Sequence, residues 1–168
     1  MEAVTKRLQI RDLVITDLEA MVALWMDEAV KQGMGTWGPQ TEEEVLPWIE
    51  NAIEQNEVEP RFTHNSSIVQ RSSGLPIGWI GFGPPSVGKE DWGDLDFGYA
   101  MRPEFRRLGY ATEALGAAID FCFTKLRVNS FFGETMPGNL ASARVMENVG
   151  MEVVGTREDG HVVYRIEV

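Results

Sequence analysis

Arg106-Arg107-Leu108-Gly109-Tyr110-Ala111, followed at once by an apolar-periodic run from Thr112, is the stretch best equipped for chemistry. A glycine at a strand-to-helix junction lets main-chain N–H groups approach a ligand closely. The helix that follows aims its unpaired amides and the positive end of its dipole at the same point. With two arginines adding charge, the combination predicts a phosphate cradle. Downstream, Asn139-Leu140-Ala141-Ser142-Ala143-Arg144-Val145-Met146-Glu147-Asn148-Val149-Gly150-Met151 reads as a polar turn running into a short helix that ends at glycine. Asn139 and Ser142 stand at its start, where side-chain oxygens commonly satisfy first-turn amides.

The flanking elements must position these groups. Asp94 to Met101 alternates, with Leu95, Phe97, Tyr99 and Met101 on one face and Asp96, Gly98 and Ala100 on the other, which predicts a strand. After the glycine turn, Ala111, Leu115, Ala118, Ile119, Cys122 and Leu126 recur at three- and four-residue spacing, the stripe of a helix packed on a sheet. The order is therefore strand, basic glycine turn, helix.

The rest of the chain supplies more of the same layers. Lys6 to Arg11 alternates as a first strand, and Thr16-Asp17-Leu18-Glu19 has the form of a capping box ahead of the stripe Leu18, Met21, Val22 and Trp25. Lys31 to Gln40, rich in glycine around Met34 and Trp37, has no period and reads as a loop. A second capping box, Thr41 to Glu44, opens a helix through about Gln55 with Val45, Ile49 and Ala52 inward. Phe62 to Gln70 and Ile77 to Phe82 form a hairpin across Arg71 to Pro76. Gly83 to Gly93 is a longer loop carrying Trp92. Phe131 to Met136 is a strand, and Met151 to Arg157 with His161 to Glu167 closes the chain as a hairpin around Glu158-Asp159-Gly160.

The 168 residues, 43% of them hydrophobic, suit one well-buried core, and a single domain spanning 1–168 is expected. One cysteine, Cys122, lies on an apolar stripe, so no internal disulfide forms and a reducing compartment is expected. No apolar run approaches the length of a membrane span or resembles a signal peptide, which makes a cytoplasmic protein the expectation. A net charge of −11 with dispersed Lys and Arg argues against a nucleic-acid partner and would attract a cationic one.

The spacing of Arg106, Gly109 and Ala111 matches an Arg or Gln, two residues, Gly, one residue, then Gly or Ala. That is the pattern of the acetyl-CoA pyrophosphate loop in the GNAT acyltransferases. With Asp96-Phe97-Gly98-Tyr99, Gly109 to Leu115 and Asn139 to Gly150, the chain resembles the branch that includes the ribosomal-protein N-terminal acetyltransferases. The match is tight from about Ile77 to Thr156 and looser before it. The resemblance implies an α/β (α+β) fold, a mixed and mostly antiparallel sheet with helices on both faces and a splay between the fourth and fifth strands. It implies acetyl transfer from acetyl-CoA directly to a primary amine, a protein N-terminus or a small cationic amine, with no metal and no nucleophilic side chain. A homodimer is a family expectation. A binding-only acyl-CoA sensor of the same fold is the alternative.

By the same resemblance, Tyr99, Ala100 and Met101 edge the pantetheine, Arg106, Arg107, Leu108, Gly109, Tyr110, Ala111 and Thr112 hold the pyrophosphate, and Asn139 bonds the cofactor. Ser142 faces the sulfur and assists its departure, where other branches place a tyrosine. Asp96, whose position is usually acidic in this branch, or Glu134 on the neighbouring strand takes the amine proton. Met34, Trp37, Trp48 and Asp96 face the acceptor. Asn148 stands where Lys or Arg is common, which puts one cofactor contact in doubt, and Met151 stands where Phe is usual. His64, in an early strand, and His161, in the closing hairpin, show no obvious partner in the sequence.

Overall fold

A computed structural model describes residues 1–86 and 93–168; the expectation placed on Trp92 lies outside the described residues. Alternating segments pair into an eight-stranded sheet: β1 (Ala3–Val4), β2 (Leu8–Asp12), β3 (His64–Gln70), β4 (Pro76–Gly83), β5 (Leu95–Met101), β6 (Ser130–Thr135), β7 (Glu152–Thr156) and β8 (Val162–Glu167). Their spatial order is β1-β2-β3-β4-β5-β6-β8-β7. All neighbours are antiparallel except β5 and β6, which run parallel. Because β1 precedes the strand expected first, the splayed pair read as fourth and fifth is β5 and β6. Those two strands pair only at Leu95 with Phe131 and Asp96 with Phe132, and then part.

The helices are α1 (Leu18–Trp25), α2 (Glu28–Met34), α3 (Glu42–Glu57), α4 (Tyr110–Phe121) and α5 (Leu140–Asn148). α4 and α5 cover one face of the sheet, burying Leu115, Ala118, Ile119, Cys122 and Met146 against Ile80, Phe97, Phe131 and Tyr164. α1 and α3 cover the other, with Met21, Leu24, Trp25, Val45 and Ile49 against Trp79 and Ala100. The two faces of β5 divide as its alternation predicts: Phe97 and Met101 belong to the first core, Ala100 to the second. Each fully buried Leu, Ile or Phe contributes roughly 1.5–3 kcal/mol, so these layers fix the strands that hold the site.

Local signals succeed where caps are local. Thr41 is the N-cap of α3, and the Glu44 carboxylate accepts from its N–H at 3.3 Å, closing the second capping box. The first box does not form. Thr16 lies inside a short 3-10 turn, Ile15–Asp17, and the buried Asp17 carboxylate instead accepts from the Val14 N–H at 3.2 Å and from Arg11 at 2.7 and 2.8 Å. Lys31 to Gln40 is not all loop: its first residues complete α2, capped by Asp27, and Gly35 at φ 55° ends that helix. Leu126 leaves the apolar stripe, 37% exposed, because α4 ends in a wider π turn over Cys122–Leu126.

Candidate active site

The parting of β5 and β6 opens a cleft of about 940 Å³. Its walls bring together most of the residues singled out in the sequence: Met34, Trp37, Asp96, Tyr99, Ala100, Met101, Arg106, Arg107, Gly109, Tyr110, Ala111, Thr112, Glu134, Asn139 and Ser142. Leu108 is 52% exposed and does not line the cleft, although its carbonyl accepts from Arg7 at 2.8 Å and so helps to shape the turn. Trp48 is also elsewhere. Its ring packs edge-on against Trp25 at 5.0 Å and Trp79 at 5.7 Å, which places it against the second core and outside the cleft lining.

One end of the cleft is main chain. Arg107 and Gly109 both adopt left-handed conformations, φ 60° and 78°, and Gly109 is the N-cap of α4. Left-handed residues at a helix start are the geometry in which successive amides can converge on an anion. A β-carbon at Gly109 would meet Arg7 Nη2 at 3.3 Å, so the turn is backed closely from behind. Arg106 is less free than its place in the motif suggests. Its Nε donates to the Met101 carbonyl at 2.9 Å and its Nη2 pairs with Asp27, the N-cap of α2.

The middle of the cleft is a strand edge. Beyond Asp96, β5 keeps its bonds to β4 and has none to β6. The Arg102 N–H bonds the Ile77 carbonyl, and the alternation this sets turns the main-chain groups of Tyr99 and Met101 toward the gap. Opposite them, the Asn139 side chain caps α5 by accepting from the Ser142 N–H at 3.2 Å. The Ser142 hydroxyl lies 3.1 Å from the Tyr99 hydroxyl, spanning the cleft. Burial pushes the Tyr99 phenol up to about 12, an effect the Ser142 contact partly offsets, so it remains protonated near neutrality. The link of Tyr99 to Ser142 joins residues 43 apart in the chain and adds to the edge role expected for Tyr99.

The far end is acidic and apolar together. Gly98 faces Met34 and Trp37: a β-carbon there would meet Met34 Cε at 3.0 Å and the Trp37 ring at 3.7 Å. Asp96, 3% exposed, shares the Gly98 face of β5. Glu134 accepts from Arg157 Nη1 through both oxygens, at 2.9 and 2.8 Å. That guanidinium, whose pKa is raised chiefly by the Glu134 contact, also sits in the field of Asp159 and Asp96. His161 lines the same cleft, with Nδ1 2.9 Å from Asp159 Oδ1. The absence of an obvious partner in the sequence is thus corrected for His161: the tight Glu158-Asp159-Gly160 turn brings the two together. His64 is 4% exposed and stacked on Phe82 at 4.7 Å, far from this chemistry in character and held down to about 3 chiefly by burial.

Comparison with known proteins agrees with the geometry. The model of the acetyltransferase (GNAT) domain matches residues 7–152, most of the chain. The chain belongs to the GNAT acetyltransferases, and is an acyltransferase that takes its acetyl group from acetyl-CoA. Among curated proteins it is 27% identical over 155 residues to an uncharacterized N-acetyltransferase, YnaD, of Bacillus subtilis, covering 92% of this chain and 85% of that one. Among solved structures it superposes on a GNAT-family acetyltransferase from Bacillus anthracis with a TM-score of 0.80 at 23% identity, covering 99% and 98% of the two chains. It also superposes on Mycobacterium smegmatis RimJ in complex with a CoA disulfide, with a TM-score of 0.80 at 19% identity over 96% of this chain and 82% of the other. At these identities the two structures speak for the fold.

The residues present fit the donor. A left-handed turn at a helix start suits a pyrophosphate, a β5 edge with no bonds to β6 beyond Asp96 suits the amide-bearing arm, with its Met101 carbonyl held by Arg106 Nε, and a hydroxyl pair stands where the edge meets α5. Among the described residues there is no His, Cys, Asp and Glu cluster able to hold a metal ion, and no helix is long and apolar enough to cross a membrane.

Proposed function

We propose that the chain, as one domain over residues 1–168, acetylates a primary amine carried by a cationic acceptor, a small polyamine-like or aminoglycoside-like molecule in preference to a neutral protein N-terminus. The observation that carries this reading is the acidic far end of the cleft, where the carboxylates of Glu134, Asp159 and Asp96 all act on the Arg157 guanidinium. A cation entering there is attracted by the surplus of carboxylates, and a low-dielectric wall of Met34 and Trp37 strengthens that attraction.

Acetyl-CoA supplies a thioester carbonyl that an amine attacks directly. The side chains then divide the remaining work. Main-chain amides at Arg107 to Ala111 bind the pyrophosphate, and the Tyr99 to Met101 edge aligns the arm. Asp96 and Glu134 receive and orient the ammonium group. The hydroxyl pair Ser142 and Tyr99 hydrogen-bonds the departing sulfur, with Tyr99 able to donate because its phenol is protonated.

The test compares kcat/KM for spermidine, an aminoglycoside, a peptide with a basic N-terminal residue and a peptide with a neutral one, at low and high salt. The expected order places the small cations first, with an advantage that shrinks as salt rises. Asp96→Asn and Glu134→Gln should raise KM for the cations more than for the neutral peptide. A neutral peptide that matches or beats the cations at both salt concentrations would refute the acceptor reading.

A further inference from the structure

The acceptor arrives as an ammonium ion and must lose a proton before its nitrogen can attack. We propose that His161 takes that proton, with Asp159 as its positioning residue; this rests on the amine-acceptor reading above. The two carboxylates suggested by the sequence are poorly suited to the step. Both oxygens of Glu134 accept from Arg157. Asp96 is 3% exposed, which leaves its proton little route back to solvent. Imidazole is the side chain most often used as a general base.

The geometry places His161 for this role. On β8, Val163 lies opposite Glu134 and Val162 opposite Thr135. Side chains alternate along the strand, so His161 projects on the Glu134 face, the face that Asp96 shares on β5. Its side chain lines the cleft and is 29% exposed, which leaves a route for the proton to solvent. Nδ1 is buried and makes no well-aligned hydrogen bond, and it lies 2.9 Å from Asp159 Oδ1 as a close charge contact. Asp159 is fixed in turn: it accepts from the His161 N–H at 3.1 Å and lies 3.5 Å from Arg157. That carboxylate is held below the usual range, first by the His161 amide. Among the described residues, the charged groups on this side of the cleft include Asp159 and Arg157 at the hairpin, Glu134 on β6 and Asp96 on β5.

The step balances without a further reagent. Neutral His161 accepts one proton from the ammonium and becomes imidazolium, which returns it to water. The amine lone pair forms the N–C bond as the C–S bond breaks, and the second N–H proton ends on the thiol. The net products are the N-acetylated acceptor, free CoA thiol and one proton.

The experiment follows kcat and KM against pH for the wild type, His161→Gln, Asp159→Asn and Asp96→Asn, using the best amine from the acceptor panel. With only two histidines in the chain, the ring resonances of His161 and His64 can be followed separately by NMR in the same samples. His161→Gln is expected to lower kcat at neutral pH by about 10²- to 10⁴-fold, the range for one general base, and to abolish the acidic limb. KM for acetyl-CoA and the melting temperature should stay unchanged. Asp159→Asn should displace both the limb and the His161 resonance titration, a change that a purely structural role would not produce. Wild-type turnover with an unaltered acidic limb in His161→Gln, or loss of the limb in Asp96→Asn alone, would overturn the histidine assignment only. No wild-type turnover on any amine would overturn the acceptor reading and this assignment with it.

Discussion

Replacing Gly109 by Val puts the anion-binding turn under a strain whose consequences can be worked out. Gly109 sits at φ 78°, where a residue with a β-carbon pays roughly 1–2 kcal/mol. The new β-carbon would lie 3.3 Å from Arg7 Nη2, and the γ-methyls of valine reach further, so Arg7 must swing and weaken its 2.8 Å bond to the Leu108 carbonyl. If the turn keeps its shape, the strain is carried in both free and bound states and appears as lost stability, about 2–8 °C in Tm for a chain of this size. If the turn relaxes, the amides no longer converge. Each charge-assisted bond lost then costs about 1.5–3 kcal/mol, or roughly 10- to 150-fold in affinity. Calorimetric titration with acetyl-CoA and a thermal melt read the two outcomes separately, with Gly109→Ala as the smaller step of the same kind. We expect weakened binding with a modest fall in Tm. Unchanged affinity in a variant whose Arg107 to Ala111 amide resonances show that the turn has relaxed would refute the cradle assignment.

Three further outcomes follow from particular contacts. Ser142→Ala should lower turnover by about 10- to 1000-fold with little change in acetyl-CoA affinity, and Tyr99→Phe should act in the same sense; a fall in affinity with turnover intact would make Ser142 a capping or binding residue. Asp27→Ala removes the cap of α2 and frees Arg106 Nη2, so a thermal melt should show a loss of about 0.5–2 kcal/mol while acetyl-CoA affinity holds; weaker binding would show that the Asp27 pair positions Arg106 for the donor. His64 carries the clearest pH signature for stability. Burial, helped by the nearby Arg61 charge, sets its folded pKa at about 3 against 6.5 in the unfolded chain, so the unfolded state binds the extra proton between those values. Its contribution is present above pH 6.5 and is lost as pH falls toward 3, with a slope of up to about 1.4 kcal/mol per unit. Denaturant melts of His64→Leu should show a flatter acid limb than the wild type, and an identical limb would remove His64 from the account.

How far the sequence could be read follows the range of each interaction. The strand, glycine turn and helix around Gly109 were legible because alternation, left-handed glycine geometry and helical stripes are all properties of neighbouring residues. The same holds for α3, whose capping box closes within four residues. α2 was hidden because Gly33 and a short apolar stripe obscure its period, and its start is marked only by Asp27, which also answers to Arg106, 79 positions away. Trp48 could not be separated from a ligand contact by sequence, since its packing partners Trp25 and Trp79 come from another helix and a strand. Most of the residues singled out line one cleft, but their pairings did not show in the sequence. Glu134 meets Arg157 across 23 residues, and Ser142 meets Tyr99 across 43. The Asp159 and His161 contact was local enough to be found: an aspartate two residues ahead of a histidine at a tight turn is a signal that position alone supports.

The most direct measurement of the central claim is CoA thiol release from acetyl-CoA by the wild-type protein, with and without a small cationic amine, paired with mass analysis of the amine. The account predicts release that depends on the amine and a matching acetyl group on its nitrogen. Tight binding of acetyl-CoA, seen as a raised Tm, with no amine-dependent release across the panel would contradict it.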